Sequence, residues 1–311
     1  MSSRFARACS VLLATCALAL ASGTANAEVP RESWADDYGA SAHRVVAYYQ
    51  TQYRDGNYVS PLPLEHAVTD IDVAAVHLNA GGPLTLNDDP PSAAKYDRMW
   101  RDLAALRASG VRMEAMLGGA AQGSYAALHK DFDTYYPQLR DFLRTYHFDG
   151  IDIDIEERFS LADTERLINQ LRTDFGSRFV INLAPVASDL SGESNFSGGF
   201  SYAKLEQDMG SRISWYNAQF YCGWGALSST SDYDKVIKAG FAPARVVAGT
   251  VTNPANCSGY VSPAQLSGTL ASLTGKYPGF AGVAGWEYFN AVPVNGTGPA
   301  SWYAAARKAM K

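Results

Sequence analysis

Residues 148–157 read Phe-Asp-Gly-Ile-Asp-Ile-Asp-Ile-Glu-Glu, and no other stretch of the chain restricts its fold so tightly. From Ile151 to Glu156 isoleucine and acid alternate with a period of two, the pattern of a β-strand. Asp152, Asp154 and Glu156 therefore project from one face and Ile151, Ile153 and Ile155 from the other. A strand rises about 3.3 Å per residue, so neighbouring acids on that face stand roughly 6.6 Å apart and perturb one another's titration. Ionised carboxylates on a buried face repel, and each is penalised unless it is paired or neutralised, so a stable chain keeps three of them only for a use. The ordinary alternative is an edge strand with its acids in water. The isoleucine face argues against it, because that face needs covering helices of the kind that bury a parallel strand on both sides.

Around this strand the sequence alternates. Further strands are expected at 44–50, 73–79, 112–117, 179–184, 213–221, 245–250 and 280–286. Helices are expected at 96–109, 135–146, 161–175, 202–209, 231–238, 263–273 and 300–310. In the first of these Met99, Leu103 and Leu106 fall at helical spacing, and Gly110 follows as a stop. Eight strands alternating with helices fit an α/β chain folded as a single-domain (β/α)8 TIM barrel, whose usual size is about 250 residues. A doubly wound open sheet is the competing arrangement, but no G-x-G-x-x-G follows the first strand. In a barrel the acidic face is the pore face, and Glu156 stands at the C-terminal mouth, where barrel enzymes do their chemistry.

The first 27 residues read as a secretory leader rather than as part of that fold: Arg4 and Arg7, an apolar run over 8–22, and Ala25-Asn26-Ala27 ahead of Glu28. The run is too short to span a bilayer, and Cys16 lies inside it, so neither a membrane anchor nor a lipid anchor is expected. The expected product is a secreted, extracellular domain over 28–311. Cleavage removes Arg4 and Arg7 and no acid, taking the net charge from −5 to −7. No basic patch points to nucleic acid. Cys9 and Cys16 leave with the leader, and the remaining pair, Cys222 and Cys257, is expected to form one disulfide in an oxidising compartment. They follow neighbouring strands of the barrel, whose loops lie side by side. No C-x-x-C or clustered His/Cys spacing supports a metal, and no cofactor is expected.

The stretch Asp149-Gly150-Ile151-Asp152-Ile153-Asp154-Ile155-Glu156 resembles the D-G-x-D-x-D-x-E signature of family 18 glycoside hydrolases. Gly118-Gly119 after the third strand, Gln219-Phe220-Tyr221, and Gly285-Trp286-Glu287-Tyr288-Phe289 extend the resemblance over nearly the whole mature chain. Leu-Asn-Asp-Asp-Pro-Pro at 86–91, Met-Leu-Gly-Gly-Ala-Ala at 116–121 and Leu-Ala-Pro-Val-Ala-Ser at 183–188 are most similar to the secreted fungal endo-β-N-acetylglucosaminidases that cut N-glycans. The resemblance implies Glu156 as general acid and base, Asp154 as the group orienting the substrate's 2-acetamido function, and Asp152 as its supporting partner. It implies that Tyr221 hydrogen-bonds the acetamido oxygen, that Gln219 lines the same subsite and that Trp286 forms its floor. The substrate would be an N-glycan or glycoprotein, cleaved with retention by a monomer.

Each role has a plainer rival. Tyr221 and Trp286 could be barrel packing, Gln219 could serve only neighbouring backbone, and Gly118 and Gly119 could make no more than a tight turn. His77 and Asn79 read as pore lining, Glu157 as a solvated or helix-pairing charge, and Tyr48 and Asn182 carry no assignment. Two other functions stay open: a family 18 chitinase using the same residues on a homopolymer, and a non-catalytic glycan-binding barrel. Retention of Asp152, Asp154 and Glu156 together argues against the second.

Overall fold

The computed structural model describes residues 43–311. The leader over 1–27, Cys9, Cys16 and the polar segment over 28–42 lie outside the described residues. Eight parallel strands close on themselves: β1 (Arg44–Tyr49), β2 (Asp70–His77), β3 (Arg112–Gly118), β4 (Gly150–Asp154), β5 (Val180–Leu183), β6 (Trp215–Gln219), β7 (Val246–Val251) and β8 (Gly282–Trp286). Each pairs with the next, and β1 pairs with both β2 and β8, so no barrel edge is left open. The expected single-domain (β/α)8 barrel is what forms.

The helices are α1 (Asp97–Ala108), α2 (Ser124–Lys130), α3 (Phe132–Thr145), α4 (Leu161–Phe175), α5 (Ala187–Leu190), α6 (Tyr202–Met209), α7 (Ser231–Lys238), α8 (Pro263–Lys276) and α9 (Ala300–Ala309). Several begin on side-chain caps: Asp131, Ser160, Ser201 and Ser262 accept from the backbone N–H three residues on. Between β1 and β2 the structure has only a 3₁₀ turn, Leu62–Leu64, and a two-stranded ribbon.

Period-two alternation splits the core in two. Inside the barrel Val46, Tyr48, Met116, Trp215 and Ala284 belong to one buried cluster, against which Trp286 packs. Outside it Ile151, Ile153 and Ile155, all fully buried, join the apolar faces of the helices. The acids of β4 thus face the barrel interior, as the alternation requires.

Strand β2 corrects its expected bounds. It begins at Asp70 rather than Val73, and the reason is that Asp70 and Asp72 point inward and are fully buried. Asp70 is held by Arg112 of β3 at 2.5 Å, so a residue that reads as loop-forming is a paired strand residue. Strand β6 is shorter than expected and ends at Gln219, leaving Tyr221 two residues beyond the ladder. Helix α8 continues past Leu273 to Lys276, and α2 and α5 are additional.

Candidate active site

Asp152 sits in the interior of β4, fully buried. Its Oδ2 accepts from the Tyr48 hydroxyl at 3.0 Å and its Oδ1 from Asn217 Nδ2 at 3.3 Å. Two residues on, Asp154 closes the strand. Its Oδ1 accepts from Gln219 Nε2 at 3.2 Å, and its backbone carbonyl accepts from Gly119 N–H at 2.9 Å. Glu156 lies past the end of the ladder, half-buried, with Oε1 3.5 Å from the same Gln219 nitrogen. Gln219 also donates to Ala184 O at 2.8 Å, which fixes its side chain from behind. One amide group therefore spans the two outer acids.

The other site residues converge on the same mouth. Trp215, Asn217, Gln219 and Tyr221 share the inward phase of β6, and Tyr221 is 9% exposed. The disulfide between Cys222 and Cys257, with Cα atoms 5.5 Å apart, holds the following loop, and Cys222 N–H bonds Ser258 O at 2.9 Å. Trp286 is half-buried at the tip of β8, edge-on to Tyr48 with ring centroids 5.3 Å apart. Gly118 and Gly119 have φ of 94° and 83°, the left-handed region that suits glycine. A Cβ on Gly118 would come within 2.5 Å of Asp154 O and 2.4 Å of the Tyr125 ring. The glycines let the β3 turn approach Asp154, and that approach is what the structure gives them.

Burial sets the electrostatics. It pushes Asp152 up to about 7, with Tyr48 and Asn217 pulling the other way by donating to the anion. Asp154 is raised well above the carboxylate range by burial, then by the charges of Glu156 and Asp152. Glu156 is raised by burial, and the Gln219 hydrogen bond opposes the shift. Burial therefore favours a proton on Glu156 at the mouth, beside acids that interact with it by charge. Tyr48 and Tyr221 are pushed up by burial and by these acids, so both remain hydroxyl donors.

The structure brings together Asp152, Asp154, Glu156, Gln219, Tyr221 and Trp286, and it adds residues that the sequence did not single out. Tyr48, left unassigned, is a donor to Asp152. Asn217 is another. Asp72 and Glu114 add two more fully buried acids deeper in the barrel, and the signal for Asp72 was present: Asp70-Ile71-Asp72-Val73 alternates as β4 does. Asn182 registers beside Asp152 and is buried, and its amide makes no hydrogen bond among the described residues. Glu157, half-buried, serves the start of a helix rather than a charge on another helix. Its Oε1 accepts from Gly123 N–H at 2.8 Å and Tyr125 N–H at 2.9 Å, satisfying the free donors at the start of α2.

The model of the family described as glycosyl hydrolases family 18 matches residues 44–250, from β1 into β7. The chain belongs to glycosyl hydrolase family 18. Among solved structures of the family, a fungal endo-β-N-acetylglucosaminidase is 40% identical with a TM-score of 0.82, covering 86% of this chain and 98% of that one. The chitinase ChiC of Aspergillus fumigatus is 45% identical with a TM-score of 0.79, covering 86% of this chain and 100% of the other. In sequence the family 18 chain is also similar to endochitinase 4 of Metarhizium anisopliae, 28% identical over 45% of this chain and 55% of that one. Endochitinase 37 of Trichoderma harzianum is 27% identical over 65% of this chain and 66% of that one. The match to these two curated relatives thus spans between about half and two thirds of their length.

Proposed function

We propose that the protein is a secreted endo-β-N-acetylglucosaminidase that hydrolyses the β-1,4 bond of the N,N′-diacetylchitobiose core of N-linked glycans, by a retaining, substrate-assisted mechanism. The observation that carries the chemistry is the placement of Asp154 and Glu156 at the end of one strand, bridged by the Gln219 amide. Two carboxyls on one side of the site are not the opposed pair by which a protein nucleophile and an acid flank a sugar. The nucleophile is then the substrate's own acetamido oxygen.

Glu156 donates its proton to the glycosidic oxygen as the C1–O bond breaks, and the acetamido oxygen attacks C1 to give an oxazolinium ion. Asp154 accepts from the ring N–H of that cation, and Asp152, anchored by Tyr48 and Asn217, supports Asp154. Tyr221 holds the attacking oxygen and Trp286 the apolar face of the sugar. Water then gives its proton to Glu156 carboxylate and adds to C1, reopening the ring with the β configuration restored.

The N-glycan reading draws on the likeness to the fungal endo-β-N-acetylglucosaminidase over nearly the whole of its length. It also suits the short β7–α8 connection over 252–262, which leaves no room for an inserted domain walling the cleft. Chitin is the second reading, favoured by the 45% identity to a chitinase. Both use the same residues. Incubation with a high-mannose glycoprotein, a complex-type glycoprotein and colloidal chitin, followed by mass spectrometry, separates them. The first reading expects one N-acetylglucosamine left on asparagine; rapid breakdown of chitin beside an untouched glycoprotein would replace it with the second.

A further inference from the structure

Asp72 of β2 is a fully buried acid outside the D-G-x-D-x-D-x-E motif, and its Cα registers with Tyr48 of β1 and Glu114 of β3. One amide joins it to the reaction centre. Asn217 Nδ2 donates to Asp72 Oδ2 at 3.1 Å and to Asp152 Oδ1 at 3.3 Å. That amide is held in its orientation, because its Oδ1 accepts the Trp215 indole N–H at 2.9 Å. The Trp215 ring is in turn approached by the guanidinium groups of Arg44 and Arg112 at 4.2 and 5.4 Å. Asp72 Oδ1 accepts no hydrogen bond among the described residues.

Two ionised carboxylates around one neutral amide in a buried site would repel without compensation, so one of them holds a proton. Asp152 has two donors, Tyr48 and Asn217, and is the better anion. Asp72 has Asn217 alone. The titratable groups facing Asp72 are Tyr48 from β1, Asp70 from its own strand, Glu114 from β3, and Asp152 and Asp154 from β4. Arg112 of β3, the cation beside them, is engaged by Asp70 at 2.5 Å. Burial and then the surrounding acids hold Asp72 well above the carboxylate range.

We propose that Asp72 is a positioning residue for the glycosidase reaction: as an uncharged acid it fixes Asn217 against Asp152, and through that amide it keeps Asp152 the anion beside Asp154. The proposal rests on Glu156 acting as the proton donor, and not on which β-1,4-linked glycan is cut. An anionic Asp152 raises the proton affinity of Asp154, which is coupled in turn to Glu156. Without the Asn217 donor Asp152 takes up a proton more readily, its charge is quenched, Asp154 ionises more readily, and that neighbouring charge holds the proton on Glu156 to higher pH.

The test compares Asp72→Leu, Asn217→Leu and Asp72→Asn with the wild type, after a thermal melt confirms folding. It follows kcat and KM against pH on a fluorogenic diacetylchitobioside or a high-mannose glycopeptide, whichever the wild type hydrolyses. An error about the N-glycan therefore leaves the test standing. Both leucine variants are expected to lose about ten-fold or more in kcat, with KM within about two-fold and the alkaline limb moved to higher pH. Asp72→Asn keeps an uncharged acceptor for Asn217 and should restore kcat to within about three-fold and return the limb. A folded Asp72→Leu with the wild-type kcat and limb overturns the proposal. So does an Asp72→Asn limb displaced as far as that of Asn217→Leu, which would mean that an uncharged acceptor at this position does not hold Asn217 in place. Should Asp72→Leu fail to fold, that last comparison decides alone.

Discussion

At the scale of single residues, the pore phase of β4 follows from alternation alone, and Asp152, Asp154 and Glu156 lie where it places them. Their hydrogen-bond partners were harder to read, because Tyr48 and Asn217 come from strands with no sequence link to β4 and meet it only when the barrel closes. Gln219 was poised between backbone and substrate roles, and its one nitrogen serves both a carbonyl and the two acids. The Tyr48 hydroxyl stabilises a charged partner, a bond worth about 1.5–3 kcal/mol. Tyr48→Phe should therefore lower kcat by about ten-fold or more while the edge contact with Trp286 survives. Steady-state kinetics checks this, and an unchanged kcat would remove Tyr48 from the account.

Among the elements, strands and helices with strong periodicity emerged close to their expected bounds, and the exceptions have physical causes. Strand β2 was cut short in the reading because buried acids look like loop. The pairing of β4 with β5 depends on Gly150, where a Cβ would meet Val180 Cβ at 2.5 Å and Glu114 Cγ at 2.8 Å. Gly150→Ala should cost about 1–3 kcal/mol, read as a lower denaturant midpoint. A midpoint equal to the wild type would show that β4 and β5 can part without penalty. The Cys222–Cys257 bridge closes a separation of 35 residues beside Tyr221, and in the chain-entropy model it stabilises by about 3–4 kcal/mol. Replacing both cysteines by serine should lower the melting temperature under non-reducing conditions; an unaltered melt would contradict the bridge.

For the whole molecule, the buried acids tie stability to pH. Folding raises Asp152 from 3.8 to about 7, and raises Asp72, Glu114 and Asp154 in the same direction, mainly through burial. A group of this kind binds more protons folded than unfolded, so its stabilising contribution is full at low pH. It is lost as pH climbs from the ordinary carboxylate range through the folded value. Asp163, Asp174 and Asp234 are shifted the opposite way by hydrogen bonds, but they lie near the surface and weigh less. The melting temperature should therefore be higher at about pH 5 than at about pH 8, and a steady rise over that interval would contradict the account. The central claim, that the substrate's acetamido group is the nucleophile, with Glu156 moving the proton and Asp154 steadying the oxazolinium ion, is tested by giving each variant a pre-formed sugar oxazoline. Glu156→Gln should be inactive with both the natural glycan and the oxazoline, because either reaction needs its proton transfer, typically worth about 10²–10⁴-fold. Asp154→Asn should lose hydrolysis of the natural glycan yet still transfer the oxazoline to an N-acetylglucosamine acceptor. Equal loss of oxazoline transfer in the two variants would contradict the account.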